Sequence, residues 1–251
     1  MSNILQKFVE SFPIALTEKE SIKRAVYNVI KNICKPDSCC VDIGSYRGHV
    51  LKMMIEQSPN GTHFAYEPLP KMFNQLVRKY ASAAHIKKIA LSNEVGTSVF
   101  YHTQENPAYS GLKKRKYPRR FHLEKLEVQV ETLDHVLNNA TPISLINIDV
   151  KGAEFLIIKG AIETIKKHRP IVTFQFDANG AEAYGVSAEM VFDYFTKQLE
   201  YNLYTLIGFS KGKKHISRID FVRFFNDDSE HYYAAAPKIS TKKIRNIENL
   251  D

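Results

Sequence analysis

The sequence predicts an α/β fold, a seven-stranded and mostly parallel sheet with helices on both faces behind an N-terminal helical lead-in. Three observations predict it. Short apolar runs alternate with helical patterns along the chain. The apolar run Cys39–Ile43 passes directly into a turn framed by Gly44 and Gly48 and then into a helix, the strand–turn–helix unit of parallel sheets. Near the end, the turn-rich stretch SKGKKH separates two apolar runs, as expected of closing strands with at least one antiparallel.

Each element follows from local pattern. Residues 1–35 read as helical, because Thr17 and Glu20 have capping-box spacing and Ile22, Ala25, Val29, Ile30 and Ile33 fall at helical intervals. The body, residues 36–237, continues with the strand 39–43, a helix over 47–57, the strand 63–66, a helix opened by Pro68 and Pro70, and a strand over 86–91. Strands are expected at 97–103 and 127–131, bracketing an insertion over roughly 97–131, and a short helix over 133–137. The alternation resumes with a strand over 144–150, one helix over 153–168, a strand over 170–176 and a helix capped by Ser187. Runs 203–207 and 219–225 are read as the closing strands, and residues 238–251 as a tail with little periodicity.

Composition limits the function classes. With 25% charged and 44% hydrophobic residues, the 251-residue chain has the balance of a soluble globular protein able to bury a substantial core. No run approaches the roughly 18 apolar residues of a membrane span, and no basic-then-apolar leader is present, so a cytoplasmic location is expected. Cys34, Cys39 and Cys40 supply neither a disulfide framework nor zinc-ligand spacing, and read as packing residues. The net charge of +8 owes much to residues 113–120 (KKRKYPRR), a local basic patch.

The chemistry-bearing residues lie where strands end. In VDIGSYRG (residues 41–48), Asp42 closes an apolar strand, and the glycines let backbone pass close to a ligand at the strand's carboxyl end. The loop has G-x-x-x-G and an acidic residue rather than the G-x-G-x-x-G that favours a pyrophosphate, which suits a cationic amino-acid moiety better than an anion. Glu67 ends the second strand, 23 residues after Gly44, where a carboxylate can accept bonds from both ribose hydroxyls. Asp149 leaves a further apolar strand beside that loop; it could orient an amino group, accept a hydroxyl proton or simply cap the next helix. Glu154, in the first turn of that helix, is a second catalytic candidate, with the helix dipole as its alternative explanation. His49 and His85 are weaker candidate bases, and no metal-ligand spacing accompanies them.

In order, VDIGSYRG, FAYEPLPKMFNQL (64–76), IALSNEVG (89–96), SGL (110–112), VETLD (130–134), INIDVKGAEFLIIKGA (146–161) and RPIVTFQF (169–176) resemble the FkbM family of methyltransferases over roughly residues 39–177. The resemblance implies a Rossmann-like class I methyltransferase fold that uses S-adenosylmethionine and releases S-adenosylhomocysteine. It places the cofactor on Asp42, Gly44, Ser45 and Gly48, its ribose on Glu67 with Pro68 following, its adenine near Ala90, Leu91 and Ser92, and its methionine end near Ser110 and Asp149. It further implies O-methylation of a small hydroxylated acceptor, a sugar or other secondary metabolite, acidic or phosphorylated if the basic segment takes part. The chain differs from the family pattern at Asn147, Lys151 and Gln175, where the family usually carries lysine, glutamate and glutamate.

Three alternatives stand beside that reading. A cofactor-binding scaffold without transfer chemistry is compatible with those three differences. An RNA methyltransferase would hold phosphates on residues 113–120, although nucleic acid is not the expected partner. Residues 106–109 (NPAY) are similar to the NPPY motif of enzymes acting on exocyclic amines, but precede the fourth strand and have Ala108 for a proline. A nicotinamide dehydrogenase would share the fold and the ribose-binding acid.

Overall fold

The computed structural model describes residues 17–105, 109–115, 117, 121–137 and 142–238. Its strands are β1 (Cys39–Ile43), β2 (His63–Tyr66), β3 (Ala84–Lys87), β4 (Ala90–Leu91), β5 (Gly96–His102), β6 (Glu124–Glu131), β7 (Ile143–Ile148), β8 (Ile171–Gln175), β9 (Tyr201–Thr205) and β10 (Tyr232–Pro237). Seven form one sheet in the order β3-β2-β1-β7-β8-β10-β9, with β10 antiparallel to both of its neighbours and the other pairs parallel. The expected α/β architecture is therefore the observed one.

Helices supply both layers. The lead-in helix Glu18–Ile33 starts at Thr17, whose hydroxyl accepts from the Glu20 N–H while Glu20 bonds back to the Thr17 N–H. It buries Ile22, Ala25, Val29 and Ile30 against one sheet face with Cys40 and Leu145; residues 1–16 of the expected helical segment lie outside the described ones. On the other face, Ile157, Ile158, Ile165, Val191 and Phe195 pack over Val41, Ile146, Val172 and Phe174. Strand β1 is buried along its whole length, the near-continuous apolar run of a doubly covered parallel strand. All three cysteines are buried and none of them forms a disulfide, in keeping with packing roles.

Three expectations are corrected. The run 219–225 is not a strand but part of the helix Arg218–Asn226: Ser217 caps it by accepting from the Asp220 N–H, and Phe221 buries its inner face. The antiparallel strand is instead Tyr232–Pro237, whose small Ala234 and Ala235 fit a site covered on both faces. The expected strand over 86–91 is two, because β3 ends the main sheet while β4 joins β6 and β5 in a second, three-stranded sheet. The single helix over 153–168 is divided into Glu154–Lys159 and Ile162–His168 around Gly160, where a side chain would meet the Ser92 carbonyl oxygen at 2.1 Å.

The order of strands places the site. From β1 the chain winds outward through β2 to β3, builds the second sheet, and returns to β7 on the opposite side of β1. Loops leaving β1 and β7 thus diverge at the carboxyl edge, and such a switch point opens the crevice in which open α/β sheets bind ligands.

Candidate functional site

A cleft of about 480 Å³ lies at this edge, within the range of small-molecule sites. Its walls include Gly44, Tyr46, Glu67, Pro68, Ala90, Leu91, Ser110 and Asp149, brought from five separate stretches of sequence, together with Lys19 from the lead-in helix.

The turn after β1 is held by its neighbours. Gly44 and Ser45 donate backbone bonds to the Tyr66 carbonyl at 3.0 and 3.3 Å, and the Tyr46 N–H donates to Glu67 Oε2 at 2.8 Å. Gly44 has φ +78°, and a side chain there would meet the Asp149 carbonyl oxygen at 2.3 Å, so both the turn and the closeness of the β7 loop require glycine. Gly48, at φ +76°, would strike the rings and methyls of Tyr80 and Leu76 at 2.8 and 2.7 Å.

The carboxylates occupy different surroundings. Glu67 is buried; Oε1 accepts from the Leu69 N–H at 2.9 Å, and burial, only partly offset by its two backbone bonds, pushes its carboxyl up to about 7. Asp42 lies beneath the turn, outside the cleft wall, with Oδ1 accepting from Asn147 Nδ2 at 2.9 Å and Oδ2 without a partner among the described residues. Burial pushes its carboxyl up to about 6. Asn147 is itself anchored by the Thr173 hydroxyl, which donates to Oδ1 at 2.9 Å.

Asp149 is 48% exposed, and its N–H donates to the Ile43 carbonyl at 2.9 Å, tying the two loops together. It caps no helix, since the following helix has Ala153 at its N-cap. Lys151 Nζ donates to Asp149 Oδ1 at 3.1 Å and also to Gln175 Oε1. Burial works against the Lys151 ammonium, but the charge and hydrogen bond of Asp149, with smaller help from Tyr232 and Glu154, together outweigh it and leave its pKa above the ordinary lysine value.

Glu154 does not reach the cleft wall. It is 2% exposed, accepts from the Gly152 N–H at 3.0 Å, and burial pushes its carboxyl up to about 8. Ser45, Gly48 and Ser92 also stand behind the wall: the Ser45 hydroxyl donates to the Asp42 carbonyl, and the Ser92 N–H to the Glu131 carbonyl. Ser110 accepts from the Thr103 N–H at 3.1 Å and pairs with His102 Nδ1 at 3.1 Å, which pins the segment 110–112 over the cleft. His49 and His85 do not line it, and among the described residues no group of three or more His, Cys, Asp or Glu could hold a metal ion.

Sequence pattern did not reveal Tyr46, Tyr66, Phe100 or Tyr184, which also form the wall. Tyr46 could have been found by its position inside the glycine turn, where it takes φ +46°. Tyr184 follows Lys151 by more than thirty residues and carries no motif. Residues 106–108 and most of 116–120 lie outside the described residues; Tyr109 packs instead against Tyr117 and Phe121.

Residues 42–203 match the model of the methyltransferase FkbM domain. The chain belongs to the FkbM methyltransferase family. Among solved structures it is similar to the methyltransferase FkbM of Methylobacillus flagellatus KT, at 13% identity and TM-score 0.48, covering 80% of this chain and 44% of that one. It is also similar to precorrin-6y C5,15-methyltransferase from Geobacter metallireducens GS-15, at 14% identity and TM-score 0.46, with 89% and 91% covered. An rRNA methylase from Streptococcus thermophilus shows 11% identity and TM-score 0.45 over 85% and 94%. The chain thus spans less than half of the Methylobacillus protein. A search of curated protein sequences finds no match. Among the described residues no helix is long and apolar enough to cross a membrane.

Proposed function

We propose that this FkbM-family chain transfers the methyl group of S-adenosylmethionine to a hydroxyl of a small acceptor. The observation that carries this reading is the convergence of the Gly44 turn, the buried Glu67 carboxylate and Asp149 on one cleft at the switch point between β1 and β7. The donor set fits the cofactor. Glu67 keeps lone pairs free beyond its two backbone bonds and can accept both ribose hydroxyls. Ala90 and Leu91 give an apolar wall for the adenine, while the half-exposed Asp149 suits an ammonium. Asp42, Ser45, Gly48 and Ser92 support these groups from behind. Glu154 takes a positioning role here, holding Gly152 after the β7 loop.

When bound, the cofactor supplies an electrophilic methyl group. The chain's own contribution is to align the acceptor oxygen and exclude water, and positioning of this kind can supply much of the rate. Asp149 Oδ2 is the proposed site for the hydroxyl proton, since Lys151 occupies Oδ1. That same ion pair favours one second reading, cofactor binding without transfer, because Lys151 already takes one of the two Asp149 carboxylate oxygens. Thermal denaturation with S-adenosylhomocysteine or NADH tests the main reading. Stabilisation by S-adenosylhomocysteine alone is expected; stabilisation by NADH alone would refute it. Methyl incorporation into hydroxylated acceptors then separates the enzyme from the scaffold.

A further inference from the structure

Beyond Asp149 the cleft presents hydrogen-bond donors. Lys151 lines the wall with its side chain 22% exposed. Its ammonium carries three protons; Asp149 and Gln175 take two, and the third has no partner among the described residues. The Tyr184 hydroxyl on the same wall is buried; the backbone N–H groups of Lys113 and Leu112 approach its oxygen, while its own proton has no acceptor among the described residues. Burial raises its pKa well above the ordinary tyrosine value, so it stays protonated.

Both residues line one cleft. A side chain built at Gly111 would lie 3.4 Å from the Lys151 backbone carbonyl and 4.0 Å from the Tyr184 hydroxyl, so residue 111 packs between that backbone and that hydroxyl. Lys113 Nζ lies 5.1 Å from the centre of the Tyr184 ring and adds a second positive charge. Of the nearby carboxylates, Asp149 is paired through Oδ1 with Lys151, and Glu67 holds two backbone N–H groups. A buried donor left unmade is costly, and an oxyanion in this cleft would be the acceptor that these donors lack. Among the described residues, Lys114 lies over Tyr101 and Arg115 over Tyr109.

We propose that the acceptor carries an oxyanion, a carboxylate or a phosphate, bound by the Lys151 ammonium and the Tyr184 hydroxyl. That this anion belongs to the methyl acceptor rests on the function proposed above; the anion subsite itself does not. Lys151 and Tyr184 are thus specificity-determining residues.

The test is calorimetric titration of the full chain with inorganic phosphate and with malonate at constant ionic strength, with and without S-adenosylhomocysteine. Saturable binding of one of them is expected, and which one binds distinguishes phosphate from carboxylate. Lys151→Gln should weaken it by about tenfold or more, the worth of a charge-assisted hydrogen bond. Tyr184→Phe removes only the hydroxyl, keeps the ring beneath Lys113, and should also weaken the anion; it decides the matter if Lys151→Gln does not fold. Failure of both anions to saturate, or wild-type anion affinity in a folded variant, overturns the proposal. So does binding of a short RNA that neither substitution affects, with no response to either small anion. Anion binding without S-adenosylhomocysteine binding would uphold the subsite and refute the cofactor reading instead.

Discussion

Replacing Gly44 by alanine separates two costs that the structure assigns to this residue. A side chain at φ +78° pays the left-handed strain of about 1–2 kcal/mol. The new Cβ would also stand 2.3 Å from the Asp149 carbonyl oxygen, where real Cβ atoms essentially never approach within 3.0 Å. That atom is backbone and cannot rotate away, so the loops after β1 and β7 must part, straining the bond from the Asp149 N–H to the Ile43 carbonyl. Losing it adds about 1 kcal/mol, and the displaced packing about as much again. Gly212 is the control, since it has φ +67° with nothing within 4 Å of its would-be side chain and so pays the strain alone. The difference of roughly 2 kcal/mol corresponds to about 4–8 °C in a chain of this size. Thermal melts of Gly44→Ala and Gly212→Ala should differ by that amount, and only the first should lose S-adenosylhomocysteine affinity. Equal melting temperatures would refute the argument that the loops are held in contact through Gly44.

Other expectations follow from the buried carboxyls. Glu154 has its folded pKa at about 8, above the ordinary value of 4.5, so the fold holds its proton and stability falls as pH rises from the unfolded value through the folded one. Glu154→Gln cannot ionise and should gain stability over the wild type by a few kcal/mol at pH 8 and almost none at pH 4, measured by urea unfolding; the same difference at both would contradict the assignment. Asn147→Ala removes the donor to Asp42 Oδ1, so it should cost about 2 kcal/mol at pH 8 and less at pH 5, where Asp42 is mostly protonated. Glu67→Gln sets an amide N–H against the N–H of Tyr46 or Leu69 and removes an acceptor for the ribose, so calorimetry should register at least about a tenfold loss of S-adenosylhomocysteine affinity. Turnover should survive exhaustive chelation, since no metal enters the proposed chemistry; loss that added metal restores would overturn that point.

Local pattern determined much of this protein. Strand and helix alternation, the Thr17 cap and the VDIGSYRG turn follow from side-chain periodicity and glycine conformation, which neighbours in sequence already express. The order of motifs led to the family that the match over residues 42–203 establishes. The tertiary structure decided what depends on partners distant in sequence. Phe221 and Phe225 suit a strand as well as a helix by composition; the cap at Ser217 and a buried face against Phe176 make the segment helical. Tyr232–Pro237 becomes a strand because a gap between β8 and β9 takes its small alanines, which no local propensity favours. Asp149 was visible as a carboxylate leaving a strand, but not its pairing with Lys151 or the link through Lys151 to Gln175. Nor did the sequence distinguish Glu154, sealed behind the wall, from Glu67, which faces the cleft. A carboxylate's chemistry is set by its burial and its donors, and those come from the packing of the whole sheet.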